Sequence, residues 1–467
     1  MKLTKCVLAF AVTALLLKPT FAQNSEPIYR LEIGQNPVEN EGSIALVGRV
    51  PVVGGVTDIW GYFDPDTEKE YAIIGFGLFT QPPNSGVVIV DVSDPSAPEE
   101  LIRFNSVPGF DVKVWRNYLY TVSGTGPGMG SIVDISDLSH PKVVGSMPSA
   151  HNIFIDARGI MYLECPGLRI YDLRRNPAQP ELLWEDPFSG CHDATVVGTR
   201  LYAFHGNQGT VIFDVSDPTT PEIKGSIDDL AIRVHHSGWP TEGGNFLFIC
   251  DEGARHPTPD ITVWDIRDLE NPEKVAEIAD PMAIVHNLFI VGDFAFTSYY
   301  TAGFRVFDIS NPRRPRLVDE YDTSNISGES FGGAFGAYPF TRSGHVFVSD
   351  QDLGLFVFAF DSNPTSVSSG AAGISAGFAL LGNYPNPFNP ETTISYQLAE
   401  QSPVKITIYN QIGKIVRTLL NASQTAGLHR IKWDGKDDAG RAMSSGIYFY
   451  QVTAGEFKDT KRMLLLK

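Results

Sequence analysis

The chain has 467 residues and a formal net charge of −18, an acidity that opposes binding to nucleic acid and to anionic membranes. Beyond the N-terminal residues, no stretch is apolar enough to span a bilayer, so the sequence predicts no transmembrane segment.

The N terminus predicts a secretory signal peptide over residues 1–22. Two lysines precede an apolar run over residues 7–17, and Ala22 is a small residue at the cleavage point. The run is too short to span a bilayer. Cys6 precedes the run instead of lying at the cleavage point, so no lipoprotein anchor is expected. Cleavage removes three lysines and no acidic residue, which takes the formal charge to −21.

One pattern occurs six times: an apolar strand ending in aspartate, a short polar turn and a proline. The copies begin at Asp91, Asp134, Asp172, Asp214, Asp265 and Asp308. They lie 38 to 51 residues apart, and a weaker seventh copy begins at Asp361. Strand-rich repeats with a period near forty are typical of β-propellers, in which each repeat forms a four-stranded blade. The sequence therefore predicts an all-β fold with a seven-bladed β-propeller.

The repeat itself is explained by blade architecture. We label the strands of each blade A to D from the axis outward. The aspartate that ends strand C suits a tight turn, because its side chain accepts hydrogen bonds from nearby backbone amides. The proline opens strand D at the outer edge of the blade, where a missing N–H breaks no ladder bond.

The last blade lacks its own strand D, and residues 43–50 read like one. We therefore predict a propeller over residues 43–361, closed by its N-terminal strand, which removes an exposed edge. Residues 362–379 are rich in Ser, Gly, Ala and Pro, as in flexible linkers. Residues 380–467 carry alternating strands without the repeat. They predict a separate small immunoglobulin-like β-sandwich.

The strand pattern GVVIVDVSDP, over residues 86–95, resembles the LVIVD repeat. Longer runs look like the choice-of-anchor B family of secreted proteins, including residues 235–252 (HHSGWPTEGGNFLFICDE) and 333–358 (GAFGAYPFTRSGHVFVSDQDLGLFVF). The resemblance covers Ile44 to Phe360. It implies a shared body joined to different surface anchors, and it implies no particular activity.

The C-terminal residues resemble the type A sorting domain of the type IX secretion system, which is related to the sandwich of flagellar hook-capping proteins. Five pieces carry this resemblance in order: residues 384–390 (YPNPFNP), 404–419, 433–441 (WDGKDDAGR), 445–448 (SGIY) and 461–467 (KRMLLLK). The resemblance implies export through the periplasm, followed by release or attachment at the outer surface. The type IX machinery would then be a partner of residues 380–467. The alternative is an immunoglobulin-like adhesion module.

Strand A of each blade opens at an equivalent place, at the mouth of the axial channel, and six of the seven blades have a polar residue there. In blade order the residues at this place are Asp58, Asp111, His151, His192, His235 or His236, His286 and Gly336. Four consecutive blades thus present a histidine at the mouth. Neutral imidazoles are suited to binding a divalent transition metal or a polar or anionic ligand.

The metal hypothesis assigns the ligands His151, His192, His236 and His286. Asn152, Asp193 and Asn287 would then orient these ligands from the neighbouring position. The alternative is structural, because strand A lies in the crowded centre and its polar side chains can hydrogen-bond the loops of the next blade.

A second cluster, at the ends of the B strands, is predicted to lie at the same mouth, because the B–C and D–A loops share a face. Its members are Asp251, Glu252, Tyr300 and Asp350. A polar, aromatic-lined mouth is the default binding site of such a fold.

Three cysteines remain after cleavage of the signal peptide. An oxidising compartment allows Cys165 and Cys191 to form a disulfide across adjacent blades, which leaves Cys250 free. The odd count leaves this pairing open.

The sequence leaves three functions open. The first is a secreted or cell-surface propeller that binds a protein, glycan or peptide ligand at the channel mouth. The second is a metal-dependent hydrolase or lyase that uses the histidines to activate water. The third is a structural component of the surface or an adhesion component.

Overall fold

A computed structural model gives the fold of the chain. It describes residues 28–34, 43–78, 80, 82–124, 128–186, 190–362, 379–384, 388, 390–398, 401–410, 413–425, 427–455 and 457–465. The predicted signal peptide and most of the predicted linker lie outside these residues. Among the described residues, no helix is long and apolar enough to cross a membrane.

The described residues form 36 β-strands. Those before residue 361 are β1 (Tyr29–Glu32), β2 (Ile44–Val50), β3 (Val56–Asp64), β4 (Lys69–Phe76), β5 (Gly86–Asp91), β6 (Glu99–Phe104), β7 (Asp111–Trp115), β8 (Tyr118–Val122), β9 (Met129–Asp134), β10 (Lys142–Pro148), β11 (Asn152–Ile155), β12 (Ile160–Glu164), β13 (Leu168–Asp172), β14 (Glu181–Asp186), β15 (Asp193–Val197), β16 (Arg200–Phe204), β17 (Thr210–Asp214), β18 (Glu222–Ile227), β19 (His235–Pro240), β20 (Phe246–Asp251), β21 (Ile261–Asp265), β22 (Glu273–Ala279), β23 (Leu288–Val291), β24 (Phe294–Tyr299), β25 (Gly303–Asp308), β26 (Arg316–Tyr321), β27 (Ala334–Tyr338), β28 (Val346–Asp350) and β29 (Gly354–Phe360). The C-terminal strands are β30 (Ala379–Tyr384), β31 (Thr392–Leu398), β32 (Ser402–Asn410), β33 (Ile415–Gln424), β34 (Gly427–Trp433), β35 (Gly446–Ala454) and β36 (Phe457–Leu465).

Seven antiparallel sheets form the blades of a β-propeller. Blades 1 to 6 are β3 to β6, β7 to β10, β11 to β14, β15 to β18, β19 to β22 and β23 to β26, and blade 7 is β27, β28, β29 and β2. The innermost strands β3, β7, β11, β15, β19, β23 and β27 contact one another in this order, and β27 contacts β3 to close the ring. The predicted all-β class, a seven-bladed propeller followed by an immunoglobulin-like sandwich, is confirmed.

The first two strands join blades that are distant in sequence. Strand β2 pairs antiparallel with β29, from Ile44 opposite Phe360 to Val50 opposite Leu355, and so supplies the outer strand of blade 7. Strand β1 was not expected from the sequence. It pairs in parallel with β22 and adds a fifth strand to blade 5. The exact limits of the two domains stay a prediction.

The repeated aspartates hold the turn between strands C and D. In all six copies, one carboxylate oxygen of the aspartate accepts a hydrogen bond from the backbone N–H two residues later, at 2.8 to 3.2 Å. The second Asp or Asn of each turn makes the same bond at 2.9 to 3.2 Å. The proline then directly precedes strand D in every copy. The repeat is therefore accounted for by architecture.

Neighbouring blades approach closely at their outer edges, where strand D carries glycine. Gly48, Gly145 and Gly225 each face the C–D turn of the next blade. A Cβ atom at these positions would lie 2.1 or 2.2 Å from a backbone carbonyl oxygen of that turn. Only glycine permits this approach, so the outer strand packs directly against the next turn.

The C-terminal strands form the two sheets of the sandwich. One sheet has the order β30-β31-β34 and the other the order β33-β32-β35-β36. Their facing side chains include Trp433, Tyr450, Ile394 and Ile406, all fully buried. This hydrophobic core is separate from the clusters that lie between the propeller blades.

Candidate functional site

Six aromatic side chains form a circle at the mouth of the channel, and we call them the mouth ring. In blade order, from blade 2 to blade 7, they are Phe110, His151, His192, His236, His286 and Phe335. The centroids of neighbouring rings are 4.8, 4.2, 4.5, 4.8 and 4.1 Å apart in that order. Phe335 lies 6.0 Å from Phe110, which completes the circle. The structure thus brings together the four histidines of the metal hypothesis.

Two blades place a different residue in the ring from the one that sequence spacing assigned. Phe110 and Phe335 take the positions given to Asp111 and Gly336, one residue earlier in the chain. In blade 7 the reason is a β-bulge between Ala334 and Gly336, which turns the intervening side chain toward the axis. The regular spacing of the sequence repeat does not reveal a bulge of this kind.

A similar bulge selects one of the two adjacent histidines of blade 5. The ladder shifts between His235 and Ser237, and His236 lies in between with its ring in the mouth ring. His235 points elsewhere, since its Nδ1 lies 2.8 Å from the hydroxyl of Thr210. Of the two alternatives, only His236 therefore faces the channel.

A charged layer lies directly beneath the mouth ring. The ammonium of Lys113 donates to Asp58 at 2.6 Å and also to Asp111. The other oxygen of Asp111 accepts the backbone N–H of Ile153 at 2.6 Å. Asn152, Asp193 and Asn287 line the same cavity as these residues. Lys113 was not expected from the sequence, although it is the one basic residue in the apolar strand DVKVW.

Burial makes the carboxyl groups of this layer hard to ionise. It raises the pKa of Asp193 to about 7, and it raises the pKa of Asp111 even though the ammonium of Lys113 opposes the shift. Burial raises the pKa of Glu164 well above its ordinary value as well, and neither carboxyl oxygen of Glu164 has a hydrogen-bond partner among the described residues. Glu164 was also missed by sequence analysis.

Burial disfavours the protonated form of all four histidines. Burial and, to a lesser extent, the neighbouring imidazoles lower the pKa of His192 to about 2. Burial likewise lowers the pKa of His151, His236 and His286. A neutral imidazole keeps a nitrogen lone pair that can bind a metal or accept a hydrogen bond.

Two of the histidines are held in a defined orientation by backbone carbonyls. The Nδ1 of His151 lies 2.7 Å from the carbonyl oxygen of Gly124, and the Nδ1 of His286 lies 2.5 Å from that of Phe335. The Nδ1 of His192 has no hydrogen-bond partner among the described residues.

Glu252 lies against the mouth ring from the B–C loop of blade 5. One carboxylate oxygen is 3.4 Å from Nε2 of His236, and the other is 3.9 Å from Nε2 of His286. The hydroxyl of Tyr300 donates to this second oxygen at 2.5 Å. Potential ligand atoms of His192, His236 and Glu252 all lie within 4.8 Å of one another. Glu252 and Tyr300 therefore share one site with the histidines.

Two other residues of the second cluster do not reach the channel. Asp251 accepts the backbone N–H groups of Arg233, Val234 and Gly253 at 2.8 to 2.9 Å. Asp350 accepts the hydroxyl of Thr323 at 2.9 Å and two backbone amides of its own loop. Both carboxylates thus hold loops in place.

The channel beneath the ring is narrow. Its cavity has a volume of about 50 Å³, which suits an ion or a few waters. At the far end it is filled by packed aromatic side chains, in which Trp239 lies 5.1 Å from Phe289 and 5.5 Å from Phe340 between centroids. The cavity itself therefore has no room for a larger ligand.

The cysteines are free thiols in the structure. Cys165 is exposed, whereas Cys191 and Cys250 are buried. Cys191 directs its Sγ to the carbonyl oxygen of Asp193 at 3.3 Å. The disulfide considered for Cys165 and Cys191 is therefore not formed here, because the buried thiol is turned into its own blade.

Family comparisons agree with this architecture. The LVIVD repeat model matches residues 83–106, 110–148, 193–229 and 284–323. The FlgD Ig-like domain model matches residues 386–456. The chain thus has segments similar to the LVIVD repeat in the propeller and a segment similar to the FlgD Ig-like domain in the C-terminal sandwich. No curated protein matches the sequence.

Two solved structures show a distant likeness. One is PorZ, described as an essential bacterial surface component of the type IX secretion system of Porphyromonas gingivalis, with 12% identity and a TM-score of 0.48. That match covers 91% of this chain and 61% of the PorZ chain. The other is the computationally designed Ika8 protein, with 10% identity and a TM-score of 0.43 over 68% of this chain and 99% of that chain. Both TM-scores are below 0.5, so neither likeness says what this chain binds.

Proposed function

We propose that this chain is a secreted or cell-surface β-propeller that binds a protein, glycan or peptide ligand at the mouth of its channel. The observation that carries the proposal is a set of exposed apolar side chains on the loops of this face. Leu230, Met282 and Phe331 are 95, 63 and 51% exposed, and each lies in a D–A loop that leads into the mouth ring. A contiguous exposed apolar patch with polar residues beside it marks an interaction site.

The shape of the mouth supports the same function. Four imidazoles and the carboxylate of Glu252 offer acceptors and donors at the centre, and exposed apolar side chains lie on three of the D–A loops that lead into the ring. Binding sites are usually apolar surfaces that contain a few polar groups. Because the channel below holds only an ion or a few waters, the ligand makes its contacts at this face.

Binding is tested by replacing the apolar side chains of the mouth. Glycan arrays and peptide display libraries are screened with the full chain and with the triple variant Leu230→Asp, Met282→Asp, Phe331→Asp. The matched control is Val143→Asp, Val144→Asp, Ile223→Asp, which alters exposed apolar residues on outer strands β10 and β18. Ligands retained by the control and lost by the mouth variant support the proposal. Screens in which neither library yields such a ligand contradict it and favour a structural surface component.

The C-terminal sandwich provides the route to the surface in this proposal. Its support is the order of the sorting-domain pieces in residues 384–467 together with the FlgD-like match over residues 386–456. Deletion of residues 380–467 in a host that has type IX secretion is expected to leave the propeller in the periplasm. Unchanged delivery to the surface or medium would contradict this role.

A metal-dependent hydrolase or lyase is the second candidate. It is favoured by the proximity of His192, His236 and Glu252, whose ligand atoms lie within 4.8 Å of one another. This candidate requires a bound ion, since a metal is what would activate water at neutral pH. Its test is elemental analysis of the purified chain followed by a hydrolase and lyase substrate screen of the metal-loaded protein. A chain that retains an ion and cleaves no substrate would contradict it.

A further inference from the structure

The orientations of two histidines leave their metal-binding nitrogens free. A carbonyl oxygen only accepts hydrogen bonds, so the Nδ1 atoms of His151 and His286, which contact carbonyls at 2.7 and 2.5 Å, carry the protons. The lone pair of each neutral ring is then on Nε2. A backbone carbonyl bound to the far nitrogen is the usual arrangement of a histidine that ligates a metal, and here it orients the two flanking histidines. The Nδ1 atoms of His192 and His236 have no hydrogen-bond partner among the described residues.

The spacing between Glu252 and His236 fits two ligands of one ion better than a direct hydrogen bond. Charge-assisted N–H···O bonds are about 2.7 to 2.9 Å long, whereas the Nε2 of His236 and the carboxylate oxygen are 3.4 Å apart. Bonds of about 2.1 Å from a tetrahedral zinc ion to a nitrogen and an oxygen place those two atoms about 3.4 Å apart. The observed separation therefore matches the edge of such a coordination polyhedron.

The carboxylate is itself held in place. The hydroxyl of Tyr300 donates to Oε1 of Glu252 at 2.5 Å, and this oxygen lies 3.9 Å from the Nε2 of His286. The bond directs the carboxylate over the histidines and leaves its other oxygen for a ligand bond. Orienting a ligating carboxylate by a hydrogen bond is a common feature of metal sites.

The donor set selects the kind of ion. Imidazole nitrogens with one carboxylate suit zinc, iron, cobalt, nickel or copper, whereas calcium and magnesium prefer sites built from oxygen alone. One ring nitrogen of His192 also lies within 4.8 Å of the ligand atoms of His236 and Glu252.

We propose that His192, His236 and Glu252, with His151 and His286 beside them, bind one divalent transition-metal ion at the mouth of the channel. The inference rests on the proposed function, because the ion lies at the centre of the same mouth and presents its open position to the ligand. A site with three protein ligands and an open position is the arrangement found where a metal contacts water or a ligand.

The proposal is tested with cobalt and zinc on the full chain. The protein is stripped with a chelator and titrated with Co²⁺, and binding is followed by visible absorbance and by elemental analysis. One cobalt per chain is expected, with displacement by Zn²⁺. Glu252→Gln keeps an acceptor for Tyr300, and His192→Phe keeps an aromatic ring. Each is expected to weaken cobalt binding at least about 100-fold, since even partners of ligands contribute 10- to 100-fold.

Matched controls come from the same chain. Glu329→Gln changes a carboxylate near Arg255, 3.6 Å away, and His140→Phe changes an exposed histidine at a C–D turn. Both are expected to bind cobalt like the unmodified chain. Thermal unfolding in chelator checks the fold of every variant, and added Zn²⁺ should stabilise the unmodified chain but not Glu252→Gln. No retained ion, or equal affinity in Glu252→Gln, His192→Phe and the controls, would overturn the site.

The two proposals fail in different ways. If the stripped chain still captures the ligands that the mouth variant loses, while no cobalt binds, the ion is excluded and the binding function stands. If one cobalt binds with the expected variant pattern but no glycan or peptide is captured at the mouth, the site stands and the binding function is excluded.

Discussion

The two halves of the mouth ring differ in chemistry although they share one backbone architecture. Blades 3 to 6 place a histidine at the inner end of strand A, whereas blades 2 and 7 place Phe110 and Phe335 at the corresponding position. Blade 1 contributes Thr57 next to Asp58, and its hydroxyl donates to the carbonyl oxygen of Gly109 at 2.5 Å. An aromatic ring therefore satisfies the packing of this position without an imidazole.

The difference between the two halves argues against a purely structural role for the histidines. If they served only to fill space between blades, phenylalanine would serve equally, as it does in two blades. In the histidine half, Glu252 lies against the imidazoles and accepts the hydroxyl of Tyr300. In the phenylalanine half, Lys113 forms ion pairs with Asp58 and Asp111. The polar side chains of the histidine half thus face the mouth, whereas the charged side chains of the phenylalanine half pair with one another in the interior.

The largest effect is expected in the phenylalanine half, from Lys113→Met. The substitution keeps the apolar stem but leaves the carboxylates of Asp58 and Asp111 buried without their cation. Breaking a buried ion pair from one side costs about 3–5 kcal/mol. Urea unfolding of the propeller at pH 7 measures the loss.

The control is Lys69→Met. The ammonium of Lys69 meets Asp91 at 2.8 Å in solvent, so its loss should leave the unfolding midpoint almost unchanged. Equal midpoints for Lys113→Met and Lys69→Met would mean that the charged layer does not stabilise the propeller, and the contrast between the halves would lose its electrostatic basis.

Glu164 allows a pH-dependent test in the histidine half, in blade 3. Burial raises the pKa of this carboxyl above the value of 4.5 expected in the unfolded chain. Above pH 4.5 the folded state therefore binds more protons than the unfolded state, and this group makes stability fall as the pH rises toward its folded pKa. Glu164→Gln removes the ionisation, so its advantage over the unmodified chain should grow between pH 5 and pH 8.

Urea midpoints at several pH values measure this difference. Glu99→Gln, on the exposed strand β6, controls for the loss of one negative charge. An advantage of Glu164→Gln that stays constant or shrinks with rising pH would show that Glu164 is ionised in the fold.

Sequence periodicity predicted the blades well because each repeat must satisfy the same local demands. The aspartate turns and the prolines before strand D follow from backbone hydrogen bonding, and they recur in every copy. The mouth ring was predicted only in part, since Phe110 and Phe335 are one residue away from the position that spacing assigned. The contact of Lys113 with Asp58 depends on the packing of neighbouring blades, which no local pattern records. The same holds for the absence of a hydrogen-bond partner for the Glu164 carboxyl among the described residues.

Replacing one histidine of the ring by phenylalanine tests whether the packing of the ring needs an imidazole. His192→Phe gives blade 4 the side chain type of blades 2 and 7. Because the Nδ1 of His192 has no hydrogen-bond partner in the described part of the chain, the change should alter the free energy of unfolding by less than about 1.5 kcal/mol, as size-conserving swaps do. His192→Ala, which leaves a gap in the ring, should cost more. Equal losses for the Phe and Ala variants would show that the imidazole itself is needed for packing.

The smallest effects are expected at the outer ends of the blades, where the halves do not differ. Asp134 in blade 2 and Asp214 in blade 4 each accept a backbone N–H at 2.9 Å. Asp214→Ala should cost about 1 kcal/mol, the usual contribution of one such hydrogen bond. Asp134→Ala should cost somewhat more, because Asp134 also accepts the side-chain N–H of Asn117 at 3.2 Å. The bonds lower the pKa of both carboxyls, so their stabilisation is present above the unfolded pKa and is lost as the pH falls through the folded pKa. Both variants should therefore approach the unmodified chain in acid, and a clearly larger loss for Asp214→Ala than for Asp134→Ala would mean that the asymmetry of the ring extends to the outer edge.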